Sequence, residues 1–189
     1  MAHSRNKKTR EQRLFLKKAI GTGVFLKKNL AIFILGAAVI IALDQITKSA
    51  VTARFTLHEV FPVIPGLFNL VYVMNPGAAF GFLADASATF RYVFFIGITI
   101  AAAGLIAYYF VKSNLRNMLL AVALTLIFGG AVGNLIDRLR FGAVVDFLDV
   151  YVGAAHWPAF NVADSAITCG AILMIWEMIL NRKEKQIVS

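Results

Sequence analysis

The stretch YVFFIGITIAAAGLIAYYFV at residues 92–111 decides the fold, because its 20 residues include no charged side chain. A helix of about 20 apolar residues, each rising about 1.5 Å, crosses the hydrocarbon core of a bilayer. This stretch therefore predicts a transmembrane helix.

Three further apolar blocks are long enough to span a bilayer, at about residues 30–47, 118–136 and 160–180. Of the 189 residues, 59% are hydrophobic and only 15% are charged. The mean hydropathy is +0.74, and a soluble domain of this composition would have to hide too much apolar surface. The predicted fold class is an α-helical integral membrane protein, with four transmembrane helices in one domain at residues 29–180.

The lysine and arginine residues predict the orientation, since positive charge near the ends of spans stays on the cytoplasmic side. Fourteen of the 19 cations lie before the first span, between the second and third, or after the fourth. We therefore expect both termini inside, as a basic tail at residues 1–28 and a short tail at 181–189, with residues 48–91 and 137–159 outside. The basic tail either forms a helix on the inner leaflet or stays disordered. Topology and anionic lipid explain its charge better than nucleic acid does.

Several polar side chains lie at the outer ends of the predicted spans, although burying such groups in a bilayer costs free energy. They are Asp44, Asn134, Asp137, Arg138, Asn161 and Asp164, together with Asp146 in the loop between the last two spans. Ionisable groups inside spans are rare and usually mark function. Near the outer interface, water arrives from outside and a substrate arrives from within the lipid, so this layer suits hydrolysis of a membrane-anchored substrate.

A pair of carboxylates that share one proton can hydrolyse a peptide without a metal, serine or cysteine. One member activates water and the other donates a proton to the carbonyl oxygen. Asp146 and Asp164 can meet, because the outer loop returns the chain from the third span to the fourth. On spacing alone, Asp137 and Asp149 remain alternative partners.

Some of these residues also have structural explanations. Asp44 and Lys48 lie four residues apart on one helix face, which favours an ion pair. Gly129, Gly130 and Gly133 favour a close contact between helices.

The outer segment that follows the first span predicts a small sheet outside the membrane. Residues 67–74 are strand-like, and Asn75-Pro76-Gly77 is typical of a turn. A turn of this kind can also hold a side-chain amide at a cleft. Arg138, four residues after Asn134, either faces the carboxylates or reaches the lipid headgroups.

Five short motifs resemble, in order, the successive motifs of bacterial lipoprotein signal peptidase, also called signal peptidase II. They are DQITK at 44–48, NPGAAF at 75–80, GGAVGNLIDR at 129–138, VDF at 145–147 and FNVAD at 160–164. The resemblance implies an aspartic endopeptidase of the bacterial inner membrane. Its substrates would be prolipoproteins that carry diacylglycerol, cleaved just before the lipidated cysteine.

The resemblance also implies roles for individual residues. Asp146 and Asp164 match the family's catalytic pair by their positions in the motifs. Asn75, Asn134, Arg138 and Asn161 match its polar shell around the substrate and the pair, whereas Asp44 and Lys48, like Gly129, are expected to be structural. We expect a monomer surrounded by membrane lipids, with its active site near the periplasmic face. We expect no cofactor, no metal and no nucleic acid partner.

Functions of other classes make different demands on the sequence. A proton-coupled transporter usually has carboxylates near the midplane and repeated halves, whereas these carboxylates are interfacial and the sequence has no repeat. Metal-assisted hydrolysis would use Asp146 and Asp149, with His156 as the one histidine nearby. The Gly-x-Gly-Asp motif of several other intramembrane aspartic proteases is absent from the sequence.

Overall fold

The structure is a computed structural model that describes residues 30–77, 83, 86–112 and 117–188. The predicted basic tail at residues 1–28 lies outside these residues. The described part contains four long helices and one small sheet.

The four helices are α1 (Leu30–Arg54), α2 (Ala88–Lys112), α3 (Met118–Phe141) and α4 (Val162–Val188). Each is long and apolar enough to cross a membrane, which confirms the predicted fold class. Each helix continues past at least one end of its predicted span, although α4 begins at Val162 rather than at residue 160. Helices α1 and α3 continue into segments that we expected outside. Hydropathy detects only the apolar part of a helix, whereas backbone hydrogen bonding continues into polar sequence.

Helix α3 is the most buried of the four and packs closely against α1 and α4. A Cβ atom on Gly129 would lie 3.0 Å from Cβ of Ile40, and one on Gly130 would lie 2.4 Å from the backbone oxygen of Ala163. These contacts confirm the predicted close approach of helices at the glycines. Without a side chain at these positions, helices that carry polar groups come within hydrogen-bonding range of one another.

The sheet lies where α1 and α3 end and α4 begins. Its antiparallel strands follow the order β1 (Val60–Ile64), β2 (Phe68–Asn75), β3 (Val144–Val152) and β4 (Ala155–His156). Strand β2 confirms the predicted strand at 67–74, whereas we expected β3 to be loop. The run VVDFLDVYV in β3 is rich in β-branched and aromatic residues, a strand signal that we did not use.

Candidate active site

Asp146 projects from β3 and is 2% exposed. Two side-chain amides donate to its carboxyl group, Asn161 Nδ2 to Oδ1 at 2.7 Å and Asn75 Nδ2 to Oδ2 at 2.9 Å. Burial, followed by the nearby charge of Asp164, raises the pKa of Asp146 to about 7, although the two amide donors oppose this shift. The protonated form of this carboxyl group is therefore well populated near neutral pH.

Asp164 lies in the first turn of α4. The Asn161 side chain, just before the helix, accepts a hydrogen bond from the Asp164 backbone N–H at 2.9 Å. In return, Asp164 Oδ2 accepts from the Asn161 backbone N–H at 3.2 Å. This reciprocal pair is a capping box with aspartate in the third helical position, so the helix end itself orients the carboxylate.

The other oxygen of Asp164 faces α3. Asn134 Nδ2 donates to Asp164 Oδ1 at 2.7 Å. The Asn134 amide oxygen is in turn 3.3 Å from Asn161 Nδ2, the same nitrogen that donates to Asp146. Two adjoining amides therefore connect the carboxyl groups of Asp146 and Asp164.

Both carboxyl groups line one cavity of about 850 Å³. Its polar wall also includes Asn75, Asn134 and Arg138, whereas apolar residues from three helices form another wall, among them Ile98, Ile127 and Ile167. The cavity thus joins a polar site to an apolar region between α2, α3 and α4. Such a shape suits a substrate with a polar backbone and an apolar attachment.

Arg138 belongs to the cavity wall. Its guanidinium carbon lies 5.4 Å from the ring centroid of Phe95 on α2. Its positive charge is attracted by the negative charges of Asp164 and Asp146. Of the two predicted placements, the structure therefore has the one that faces the carboxylates.

A buried ionic cluster lies next to Asn134, one of the polar residues that line the cavity. Lys48 on α1 bonds Oδ2 of Asp44 and Oδ2 of Asp137, each at 2.8 Å, so the predicted Asp44–Lys48 ion pair is present. Asp44 Oδ1 accepts from the backbone N–H of Ala163 at 2.9 Å, and Asp137 Oδ2 accepts from that of Val145 at 3.1 Å. The cluster thereby holds the start of α4 and the start of β3 against α1 and α3.

Asp137 and Asp149, the alternative partners that spacing left open, are bonded to other residues. Asp137 bonds Lys48, as described above. Asp149 lies three residues beyond Asp146 in β3, so its side chain points to the opposite face of the strand. There it accepts from Asn69 Nδ2 at 2.8 Å and pairs with His156 Nδ1 at 2.9 Å.

Sequence reasoning missed Gln45, although it lies in one of the quoted motifs. Its side-chain nitrogen lies 2.9 Å from Asp137 Oδ1, 3.2 Å from the backbone oxygen of Gly133 and 3.1 Å from Asp44 Oδ2. A polar side chain beside Asp44 within an apolar block was the available signal. All predicted polar site residues meet at this end of the bundle, whereas Gly129 contacts Ile40 between helices.

Comparison with known proteins places this geometry in a family. The family model described as signal peptidase (SPase) II matches residues 36–180. The lipoprotein signal peptidase of Syntrophus aciditrophicus is 51% identical over 160 residues, which cover 85% of this chain and 99% of that protein. That of Geobacter metallireducens is 48% identical over 160 residues, 85% of this chain and 98% of that protein.

Solved structures agree with these sequence matches. A bacterial membrane enzyme determined by the in meso method at 2.3 Å resolution has a TM-score of 0.74 and 36% sequence identity, over 82% of this chain and 92% of that one. A second such structure, at 1.9 Å resolution, has a TM-score of 0.70, also at 36% identity, over 78% of this chain and 92% of that one. The chain belongs to the signal peptidase II family.

Proposed function

We propose that Asp146 and Asp164 are the catalytic pair with which this signal peptidase cleaves the signal peptide from diacylglyceryl-modified prolipoproteins. The observation that carries the proposal is the convergence of these two buried carboxyl groups, from β3 and α4, on one cavity where adjoining amides connect them. Two carboxyl groups in such a site favour sharing one proton, because close like charges disfavour double ionisation.

The protonation state differs between the two members. Asp146 carries the shared proton, consistent with its raised pKa near 7. Asp164 is the ionised member, because it lies at the N-terminal end of α4, where the helix dipole and a backbone N–H stabilise negative charge. Each carboxyl group is therefore suited to one of the two proton transfers that hydrolysis requires.

In the reaction, Asp164 removes a proton from a water molecule while the water oxygen attacks the scissile carbonyl carbon. Asp146 donates its proton to the carbonyl oxygen, which gives a neutral tetrahedral diol. The carbon–nitrogen bond then breaks as Asp164 delivers the proton it gained to the departing amide nitrogen. Asp146 recovers a proton from the diol, so the pair returns to its starting state.

The surrounding polar residues hold the pair and the substrate. Asn75 and Asn161 orient Asp146, and Asn134 orients Asp164. Arg138 supplies positive charge in the cavity wall, next to the developing negative charge of the transition state. Asp44, Lys48 and Gly129 support the packing of the helices that carry these groups.

The substrate's lipid attachment accounts for the apolar wall of the cavity. The scissile amide reaches the pair while the acyl chains stay between the helices or in surrounding lipid. The distribution of lysine and arginine supports cytoplasmic termini and a site near the opposite face of the membrane. The resemblance to signal peptidase II implies that this membrane is the bacterial inner membrane, so the site would face the periplasm. One chain supplies both carboxyl groups, so a monomer suffices for activity.

The test is mass spectrometry of a purified diacylglyceryl prolipoprotein after incubation with the pure enzyme. We expect a single cut just before the lipidated cysteine, and no cut in the same precursor without diacylglycerol. Cleavage elsewhere, or equal cleavage of the unmodified precursor, would contradict the proposed substrate. Asp146→Asn and Asp164→Asn should each give no product. Asp149→Asn is the matched control for Asp146→Asn, because it changes the same chemical group on the same strand.

A further inference from the structure

Lys48 makes one contact that an ion pair for helix stability does not require. Its side chain is 3% exposed, and besides Asp44 and Asp137 its Nζ lies 2.9 Å from Oδ1 of Asn134. We propose that Lys48 is a positioning residue for the reaction, because it sets the orientation of the Asn134 amide that holds Asp164. This inference rests on the proposed function of Asp164.

The chemistry of the three groups dictates that orientation. An ammonium group has only donors, so the Asn134 atom that faces Lys48 must be the amide oxygen. The NH₂ group of Asn134 then faces the other way and donates to Asp164 Oδ1 at 2.7 Å. Were the amide turned over, NH₂ would face the ammonium group, and an acceptor would face the carboxylate of Asp164.

The second partner of the Asn134 oxygen agrees with this orientation. Asn161 Nδ2, a donor, lies 3.3 Å from Asn134 Oδ1, while the Asn161 oxygen is occupied by the backbone N–H of Asp164. This bond is longer than the 2.9 Å bond from Lys48, and Asn161 Nδ2 also serves Asp146 at 2.7 Å. Lys48 is therefore the principal donor that holds the Asn134 oxygen.

A structural role alone makes a different prediction. Lys48 lies between two buried carboxylates that hold Ala163 and Val145, so its loss would leave their negative charges uncompensated. Such a defect lowers the fraction of folded enzyme, and it need not change the rate of each folded molecule. A positioning role instead lowers kcat, with little change in KM, because the substrate does not contact Lys48.

The experiment is a double-mutant cycle on kcat with Lys48→Met, Asn134→Ala and the combined variant, using the diacylglyceryl precursor. We expect each single variant to lower kcat by about 100-fold, the cost of misplacing a catalytic group by about 1 Å. The combined variant should be no more than about twofold slower than the slower single variant, because both changes remove the same positioned amide. Multiplied losses, or a normal kcat in Lys48→Met, would overturn the proposal.

A second set of variants covers the case in which Lys48→Met does not fold. Lys48→Met/Asp44→Asn removes one positive and one negative charge, and the new amide keeps an acceptor for the Ala163 N–H. This double variant is combined with Asn134→Ala in the same kind of cycle, and Asp44→Asn serves as the reference enzyme. We expect a higher Tm than that of Lys48→Met, because one buried carboxylate rather than two is left without its cation, while kcat stays about 100-fold below that of Asp44→Asn. Recovery of kcat together with Tm would show a purely structural role.

Asp164→Asn in the same series separates this inference from the proposed function. If Asp164→Asn keeps its activity, the proposed pair is wrong, whatever the cycle shows. If Asp164→Asn is inactive and the Lys48 and Asn134 losses multiply, the pair stands and only the role of Lys48 fails.

Discussion

The two faces of strand β3 carry the same residue in two different settings. Asp146 faces the helices and is 2% exposed, and Asp149 faces the other way and is 7% exposed. Burial is therefore similar, and the partners make the difference. Asp146 has amide donors and a second carboxyl group nearby, whereas Asp149 has His156, a partner able to carry a full positive charge. Similar burial therefore does not make these two carboxyl groups equally suited to acid–base chemistry, because of the two only Asp146 has a second carboxyl group beside it.

The largest expected effect tests the comparison between faces directly. Asp164→Asn should lower kcat by about 10⁴-fold, since it removes the group that we propose activates water. Asp149→Asn should leave kcat within about threefold, because its face of β3 does not line the cavity. Single-turnover cleavage at saturating precursor measures both. A loss in Asp149→Asn as large as that in Asp164→Asn would end the distinction between the faces.

The next effect concerns the contact between α3 and α4, which brings Asp164 close to Asn134. Gly130→Ala would place a Cβ atom 2.4 Å from the backbone oxygen of Ala163, one residue before Asp164. We expect a destabilisation of about 1–3 kcal/mol, typical of overpacking, together with a lower kcat. Thermal unfolding in detergent measures the first effect. Gly97→Ala on α2 is the matched control, because no heavy atom lies within 4 Å of its added Cβ, and an equal loss there would contradict the close-contact explanation.

The pH dependence sharpens the role of Asp146. With a folded-state pKa of about 7, the proton of Asp146 is present below neutral pH and lost above it. We therefore expect kcat/KM to fall about tenfold per pH unit once the pH exceeds that value. Asn75→Ala removes a donor that stabilises the ionised form, so it should raise the pKa of Asp146 and move this decline to higher pH. A decline that moves to lower pH in Asn75→Ala would contradict the assignment of the proton to Asp146.

The smallest effect belongs to the outer face of β3. His156 is half exposed and lies 2.9 Å from Asp149. His156→Ala should lower the free energy of unfolding by at most about 1 kcal/mol, as expected for a solvent-screened pair, without a change in kcat. Denaturation in detergent at pH 6 measures it. A large fall in kcat would show that this face of the strand also serves the reaction.

Much of the fold follows from local properties of the chain. Four apolar blocks of sufficient length predicted four spans, since the thickness of a bilayer sets the length of a helix that crosses it. The exact helix ends did not follow. Strand β3 was missed because it lacks a clear alternation of polar and apolar residues, and its β-branched and aromatic composition was the only local signal. The first four residues of β3 are all buried, Asp146 among them.

The chemistry of the site divides in the same way. By themselves, the residues determined that costly polar groups lie at one end of the spans, and the motifs pointed to Asp146 and Asp164. Only the tertiary structure decided that Asp137 and Asp149 have other partners and that Lys48 faces Asn134. The bond between Asp44 and Ala163 spans 119 residues of sequence. Hydrogen bonds of this kind require the right direction and a distance of about 3 Å between donor and acceptor. The spacing of residues along the chain does not specify this geometry, because the packing of α1, α3, α4 and β3 sets it.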